Sequence, residues 1–255
     1  MKPFGLCTLS VIPVRKEPSD KSEMVTQLLF GDMVEFLDNQ KQWIFIRNTF
    51  DDYLGWIDGK QISNLSSVEY EQFLNTKENI KVFEHLLPIT KNKHSQIFAL
   101  MGSEIHLFKN NSFIADGQTY QINSLTTKNN YNIKSIALKY LYTPYLWGGK
   151  TAFGIDCSGF TQIVFKLLGI KLYRDAYQQA EQGKTIDFVS EAQIGDLAFF
   201  DNDKGNIIHT GIIIGKNEII HASGFVRIDK IDHEGIYNLE EQQYTHKLRL
   251  IKRIL

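Results

Sequence analysis

Asp156-Cys157-Ser158-Gly159-Phe160 opens a run in which Phe160, Val164, Leu167 and Leu168 make an apolar stripe at helical spacing, closed by Gly169. The spacing predicts a helix that starts at Cys157, since Asp, Ser and Gly around the cysteine are polar and turn-forming. Upstream, Ile133, Ile136, Ala137, Tyr140 and Leu141 recur at i, i+3, i+4, i+7 and i+8, a second helix that ends before Pro144. Downstream, strands read at 197–200, 207–214, 218–222 and 226–231. Helices followed by an antiparallel sheet predict an α+β domain over residues 129–255.

The first half reads differently. Residues 1–63 hold strand-like runs at 9–14, 24–29, 33–37, 43–47 and 54–57, separated by Pro18-Ser19-Asp20, Gly31-Asp32, Asp38-Asn39 and Asp51-Asp52. Five short strands without helical periodicity predict a small all-β barrel closed to remove its edges. The stretch Asp52-Tyr53-Leu54-Gly55-Trp56-Ile57 resembles the last strand pair of bacterial SH3-like domains. Residues 64–128 offer a short helix at 70–75 and strands at 80–83, 96–100, 104–108 and 112–115, expected to form a second, diverged SH3-like barrel. The expected fold class is therefore multi-domain, two SH3-like barrels ahead of the α+β domain.

Composition narrows the functions. A chain of 255 residues with 43% hydrophobic and 22% charged content folds, and a net charge of −1 gives no basic field for nucleic acid or anionic lipid. Two cysteines exclude a disulfide framework and a multi-cysteine zinc site, which suits a reducing, cytoplasmic home. The apolar stretch after Lys2 is broken by Pro3, Thr8, Ser10 and Pro13, so neither a leader nor a membrane span is expected there.

Chemistry gathers at one cysteine and two histidines. A thiol at a helix N-terminus is expected to ionise near neutral pH, because unpaired N–H groups and the helix dipole favour the anion. The alternative is a small buried apolar residue. His209 and His221 lie in adjacent apolar strands, and the two share a face only when paired positions sum to an even number. A two-residue turn at Lys216-Asn217 separates them. A three-residue loop at 215–217, or a bulge, pairs Gly211 with His221 and brings His209 onto the neighbouring diagonal. That register is the expected one, with one imidazole facing the thiol and the other orienting it.

Five blocks in order, Pro144-Tyr145-Leu146-Trp147-Gly148-Gly149, Asp156-Cys157-Ser158-Gly159-Phe160, Gly195-Asp196-Leu197, His209-Thr210-Gly211-Ile212 and Ile220-His221-Ala222-Ser223, closely resemble the NlpC-type cell-wall peptidases. The resemblance implies a reduced papain-like fold and a thiol protease acting on murein, with Cys157 as nucleophile, His209 as base and His221 as orienting residue. It also implies that the Tyr145 hydroxyl lies near the oxyanion hole, although a tyrosine packed under its loop reads the same way. Trp147 is expected to be a core indole. No cofactor and no metal are implied. Zinc across Cys157, His209 and His221 would silence the nucleophile, and Asp201-Asn202-Asp203-Lys204-Gly205 lacks the Glu of a calcium loop at its twelfth position.

The whole chain is similar to the narrower γ-D-glutamyl-L-diamino-acid endopeptidases, in which an SH3-like domain restricts the cleft to peptides with a free N-terminal L-Ala. The expected activity is hydrolysis of the γ-D-Glu to diamino-acid bond during murein peptide recycling, by a monomer that binds neither nucleic acid nor membrane. Capture of a peptide ammonium needs carboxylates and oxygen or aromatic partners. Asp156 and Ser158 flank the nucleophile, and Tyr53, Glu23 and Asp175 are the further substrate-binding candidates. Glu23 reads equally as a solvated loop charge, and Asp175 equally as a helix N-cap. An amidase or acyltransferase on the same fold, or a murein-binding protein without activity, are the rival readings.

Overall fold

Alternating burial over Val11–Arg15 and the apolar runs of Met24–Leu29 and Trp43–Asn48 give an antiparallel sheet whose inward residues are Ile12, Val14, Leu28, Ile44 and Ile46. The computed structural model describes residues 3–76, 79–106, 111–122 and 131–255. Contacts divide the chain into two units, 1–129 and 130–255.

In the first unit the strand order is Met24–Leu29, Val11–Arg15, Leu54–Asp58, Trp43–Asn48, Met33–Gln40, Phe4–Leu6 and Ser63–Leu65. The five expected strands are present. Two short strands are added, Phe4–Leu6 and Ser63–Leu65, which pair with each other. The helix Ser67–Leu74 starts three residues before the expected one, where Ser66 and Glu69 form a reciprocal capping box. Beyond it lie a four-stranded sheet, Ser95–Leu100, Leu86–Lys91, Gln118–Ile122 and Ser112–Ala115, and the pair Glu104–His106 with Asn79–Lys81. The expected strand 104–108 runs out of the described residues after His106. Leu6, Phe30, Met33 and Leu65 of the first sheet pack in one core with Tyr70, Phe73, Leu87, Ile89, Phe113 and Tyr120. A separate cluster, Cys7, Ile12, Val14, Leu28, Val34, Ile44, Ile46, Ile57 and Ile62, lies within residues 7–62.

In the second unit, Asn132 caps the helix Ile133–Leu138 by accepting from the Ser135 N–H at 2.8 Å. The helix stops three residues short of the expected Leu141. Residues 139–141 tighten into i to i+3 bonds, and Tyr142, at φ 67°, donates its N–H to Val226 O. Tyr140 stays fully buried and meets Phe160 edge-on. The helix Cys157–Leu167 is buried along its whole length. It packs on a sheet ordered Lys184–Ile186, Gln243–Arg253, Leu197–Asp201, Ile207–Gly215, Glu218–Ser223, Phe225–Ile231 and Gly235–Asn238, whose last strand pairs back with Gln243–Arg253.

The register between the histidine strands is the expected one. Gly215 faces Glu218 across a two-residue turn, and a bulge between Ile213 and Gly215 then pairs Gly211 with His221. Among the described residues no helix is long and apolar enough to cross a membrane.

Candidate active site

Asp156 fixes the start of the Cys157 helix. Its carboxylate accepts from Gly159 N–H at 2.7 Å as the N-cap, from Gly148 N–H at 2.8 Å, and from the buried Arg174 guanidinium at 2.6 and 3.0 Å. Cys157 is the first helical residue, and the backbone of Thr210 and of Ser158 lies close enough to its sulfur to favour the anion. Thr210 follows His209, so the sulfur lies against the strand that carries the base candidate.

From His209 a chain of hydrogen bonds leads away from the sulfur. His209 Nε2 and His221 Nδ1 are 2.8 Å apart, and His221 Nε2 is 2.9 Å from Asp229 Oδ2. Arg227 donates to both oxygens of Asp229, from Nε at 2.7 Å and Nη2 at 3.0 Å. Strand pairing explains the arrangement. His221 lies opposite Gly211 on one side and Arg227 on the other, and Asp229 shares the face of Arg227 at period two. A methyl group on Gly211 would come within 2.8 Å of His221 Cβ, so only glycine leaves the imidazole its place.

Burial governs the titration of this cluster. His209 is driven well below the ordinary imidazole range by desolvation and by neighbouring His221 and His246. His221 is also lowered by burial, against the pull of Asp229, and His246 falls to about 4 for lack of solvent. Burial likewise pushes the Cys157 thiol up to about 12, with Asp156 adding to it, and this outweighs the Thr210 hydrogen bond, Arg174 and the Ser158 bond. The expected resting thiolate is therefore corrected. The helix start is present, but burial of Cys157, a residue 7% exposed, and of the imidazoles on the facing strands favours the neutral forms.

A pH effect on stability follows. The folded pKa of each of these three histidines lies below its unfolded value of 6.5, so the unfolded chain binds protons first as pH falls. Stability is full above pH 6.5 and is expected to fall from there down to about 4, where His246 titrates. Urea midpoints measured from pH 8 to 4 check this, and a flat profile contradicts it.

The half-buried Tyr145 has its phenol raised by burial and then by Cys157 and Asp156, which places the hydroxyl in the field of the sulfur. Trp147 is corrected too. It is 60% exposed, because Leu146 N–H bonds Ile155 O, Gly149 N–H bonds Leu146 O, and the turn at Gly148, φ 75°, directs the indole outward. Asp156 and Ser158 are at the site but already engaged: Ser158 Oγ accepts from Arg174 at 3.0 Å. Asp175 sits at the N-cap position of Ala176–Gln179, in the second unit. Tyr53 and Glu23 belong to the first unit, where Glu23 pairs with Lys16 at 3.4 Å.

Arg174, Arg227, Asp229 and His246 were not anticipated from the sequence. Arg227 and Asp229 do carry a signal, two charges at period two inside an apolar strand. Arg174 and His246 reach the site only through the fold. The nitrogens of His209, His221 and His246 lie within 4.8 Å of one another. The rings of His209 and His246 are stacked, however, at 4.2 Å and 27°, so their in-plane lone pairs run side by side and do not converge on one ion.

Comparison with known proteins agrees with this geometry. The model of the NlpC/P60 family matches residues 142–250, and that of the bacterial dipeptidyl-peptidase SH3 domain matches residues 14–62. The gamma-D-glutamyl-L-lysine dipeptidyl-peptidase of Bacillus subtilis (strain 168) is 26% identical over 240 residues, which span 86% of this chain and 75% of that protein. Its namesake from Bacillus cereus is 28% identical over 235 residues, spanning 80% and 68%. A solved NlpC/P60 family protein from Bacillus cereus shares the fold with a TM-score of 0.80 at 20% identity, over 99% of both chains. The chain thus carries an NlpC/P60 domain behind a bacterial SH3 domain, and the relatives it resembles support a peptidase.

Proposed function

We propose that this peptidase hydrolyses the γ-D-glutamyl to L-diamino-acid bond of murein-derived peptides that carry a free N-terminal L-Ala, acting in the cytoplasm in peptide recycling. The observation that carries the reading is Cys157 at the helix start with Thr210, the neighbour of His209, beside its sulfur, and His221 bonded behind the His209 ring. Two relatives named for γ-D-glutamyl-L-lysine cleavage support the bond and the substrate class.

In this reading His209 takes the Cys157 proton as the sulfur attacks the γ-carbonyl carbon of D-Glu. Negative charge gathers on the carbonyl oxygen, where the Tyr145 hydroxyl and the Cys157 N–H donate to it. His209 then protonates the leaving amine, the C–N bond breaks, and a thioester remains. Water gives a proton to His209 and attacks the thioester. The thiolate leaves and recovers that proton.

Recognition of a free ammonium falls to carboxylates and oxygen donors, for which Asp156, Ser158, Asp175, Glu23 and Tyr53 are proposed. Asp156 would do so while remaining bonded to Arg174. The cap on the cleft is likewise a proposal, for the SH3 domain matched at residues 14–62, and the antiparallel strands between 79 and 122 support a second, diverged barrel. Helix Cys157–Leu167 packed on the histidine strands supports a papain-like assignment. The test compares L-Ala-γ-D-Glu-L-Lys with its N-acetyl form, following dipeptide release by mass spectrometry. The acetylated peptide is expected to be cut about 100-fold more slowly, the worth of a charged hydrogen bond or two. Equal rates end the free-amine reading.

A further inference from the structure

Neither His209 nor His221 can by itself choose which of its ring nitrogens carries the proton. Each neutral imidazole has one donor and one acceptor, and the bond between His209 Nε2 and His221 Nδ1 forms in either direction. Only one direction serves a general base. His209 uses Nε2 for His221, so Nδ1 is the nitrogen left for the thiol, and it must be the unprotonated one. The proton of His209 must then sit on Nε2 and point to an unprotonated Nδ1 of His221. That in turn requires the His221 proton on Nε2.

We infer that Asp229, held by Arg227, is a positioning residue that fixes the proton order of both imidazoles and so leaves His209 Nδ1 free to accept from Cys157. An ionised carboxylate is acceptor-only, and Asp229 Oδ2 stands 2.9 Å from His221 Nε2. It therefore admits a single His221 tautomer, the one with the proton on Nε2. Arg227 makes this choice firm. Its two bonds to Asp229 are parallel and charge-assisted, Glu240 stands 3.5 Å behind it, and Asn238 Oδ1 accepts from the same guanidinium at 3.2 Å. Burial alone would raise the Asp229 carboxyl, but the bonds from His221 and Arg227 hold it below the usual carboxylate range. The charged and titratable groups set against the pair of rings are Asp229 and Arg227 from the neighbouring strand and His246, stacked on His209.

The strands explain why two residues suffice. Arg227 is paired with His221 in register, and Asp229 follows at period two on the same face, so both reach past the His221 ring without any loop rearrangement. The arrangement rests on the proposed roles of Cys157 and His209, but its test separates the two.

On the full-length protein, long-range ¹H–¹⁵N correlation spectra at pH 7.5 read the tautomers directly. His209 and His221 are both expected as neutral Nε2–H forms. Finding His221 as the Nδ1–H form or as an imidazolium overturns the inference with no variant needed and no substrate involved. In Asp229→Asn, which keeps the volume and removes the acceptor-only charge, the His221 signal is expected to become mixed or Nδ1–H. With the free tripeptide, kcat is expected to fall about 10- to 100-fold at nearly constant KM, less than the ~10⁴-fold seen when a carboxylate bonded directly to a base is lost. Wild-type tautomers and kcat in the variant overturn the inference, as does a lower kcat with unchanged tautomers, which marks a structural role only. An inactive wild-type protein with the expected tautomers leaves the proton order standing and removes the substrate reading.

Discussion

Cys157→Ala is expected to lower kcat on the free tripeptide by about 10⁴- to 10⁶-fold while the protein stays folded, because removing the attacking atom leaves only binding and the oxyanion donors. The folding half of this expectation comes from the site. Cys157 occupies the first turn of its helix, and alanine is the better helix former there. The substitution leaves the Asp156 cap untouched. Dipeptide release followed by mass spectrometry, with urea unfolding in parallel, checks both halves. Residual activity within tenfold of wild type removes Cys157 as nucleophile.

The second large effect concerns stability. Asp156→Ala is expected to destabilise the second unit by about 3–5 kcal/mol, well beyond the roughly 1 kcal/mol of an ordinary N-cap. The excess arises at Arg174, which is only 1% exposed and would keep its charge without the two carboxylate bonds that now face it. Replacing the pair together, Asp156→Ala with Arg174→Leu, is expected to cost less than Asp156→Ala alone, since no unpaired charge is then left in the interior. Urea unfolding of the single and double variants decides the matter, and a loss of only about 1 kcal/mol for the single variant means that the ion pair is not what holds the helix start.

Much of the site can be traced in the residues themselves. Asp, Ser and Gly around Cys157 mark a helix start because of the turns and caps they favour, and the helix begins there. Parity in the strand pairing leaves the two histidines two registers, and the bulge between Ile213 and Gly215 selects the one that pairs Gly211 with His221. Strand Gln243–Arg253 is less legible. Its Lys and Arg side chains mask a central position in the sheet, so its His246, which stacks on His209, carries no local sign of that contact. Leu86–Lys91 is hidden in the same way by Pro88, tolerated within a paired strand.

Residue types and their spacing, being local, were enough to determine the helix start at Cys157 and the α+β character of the second unit. Protonation was decided by the tertiary structure alone. Whether Cys157 rests as thiol or thiolate depends on how much water reaches it, and which imidazole nitrogen holds a proton depends on a carboxylate from a third strand. Desolvation and long-range hydrogen bonds are properties of the packed molecule, with no counterpart in a linear pattern.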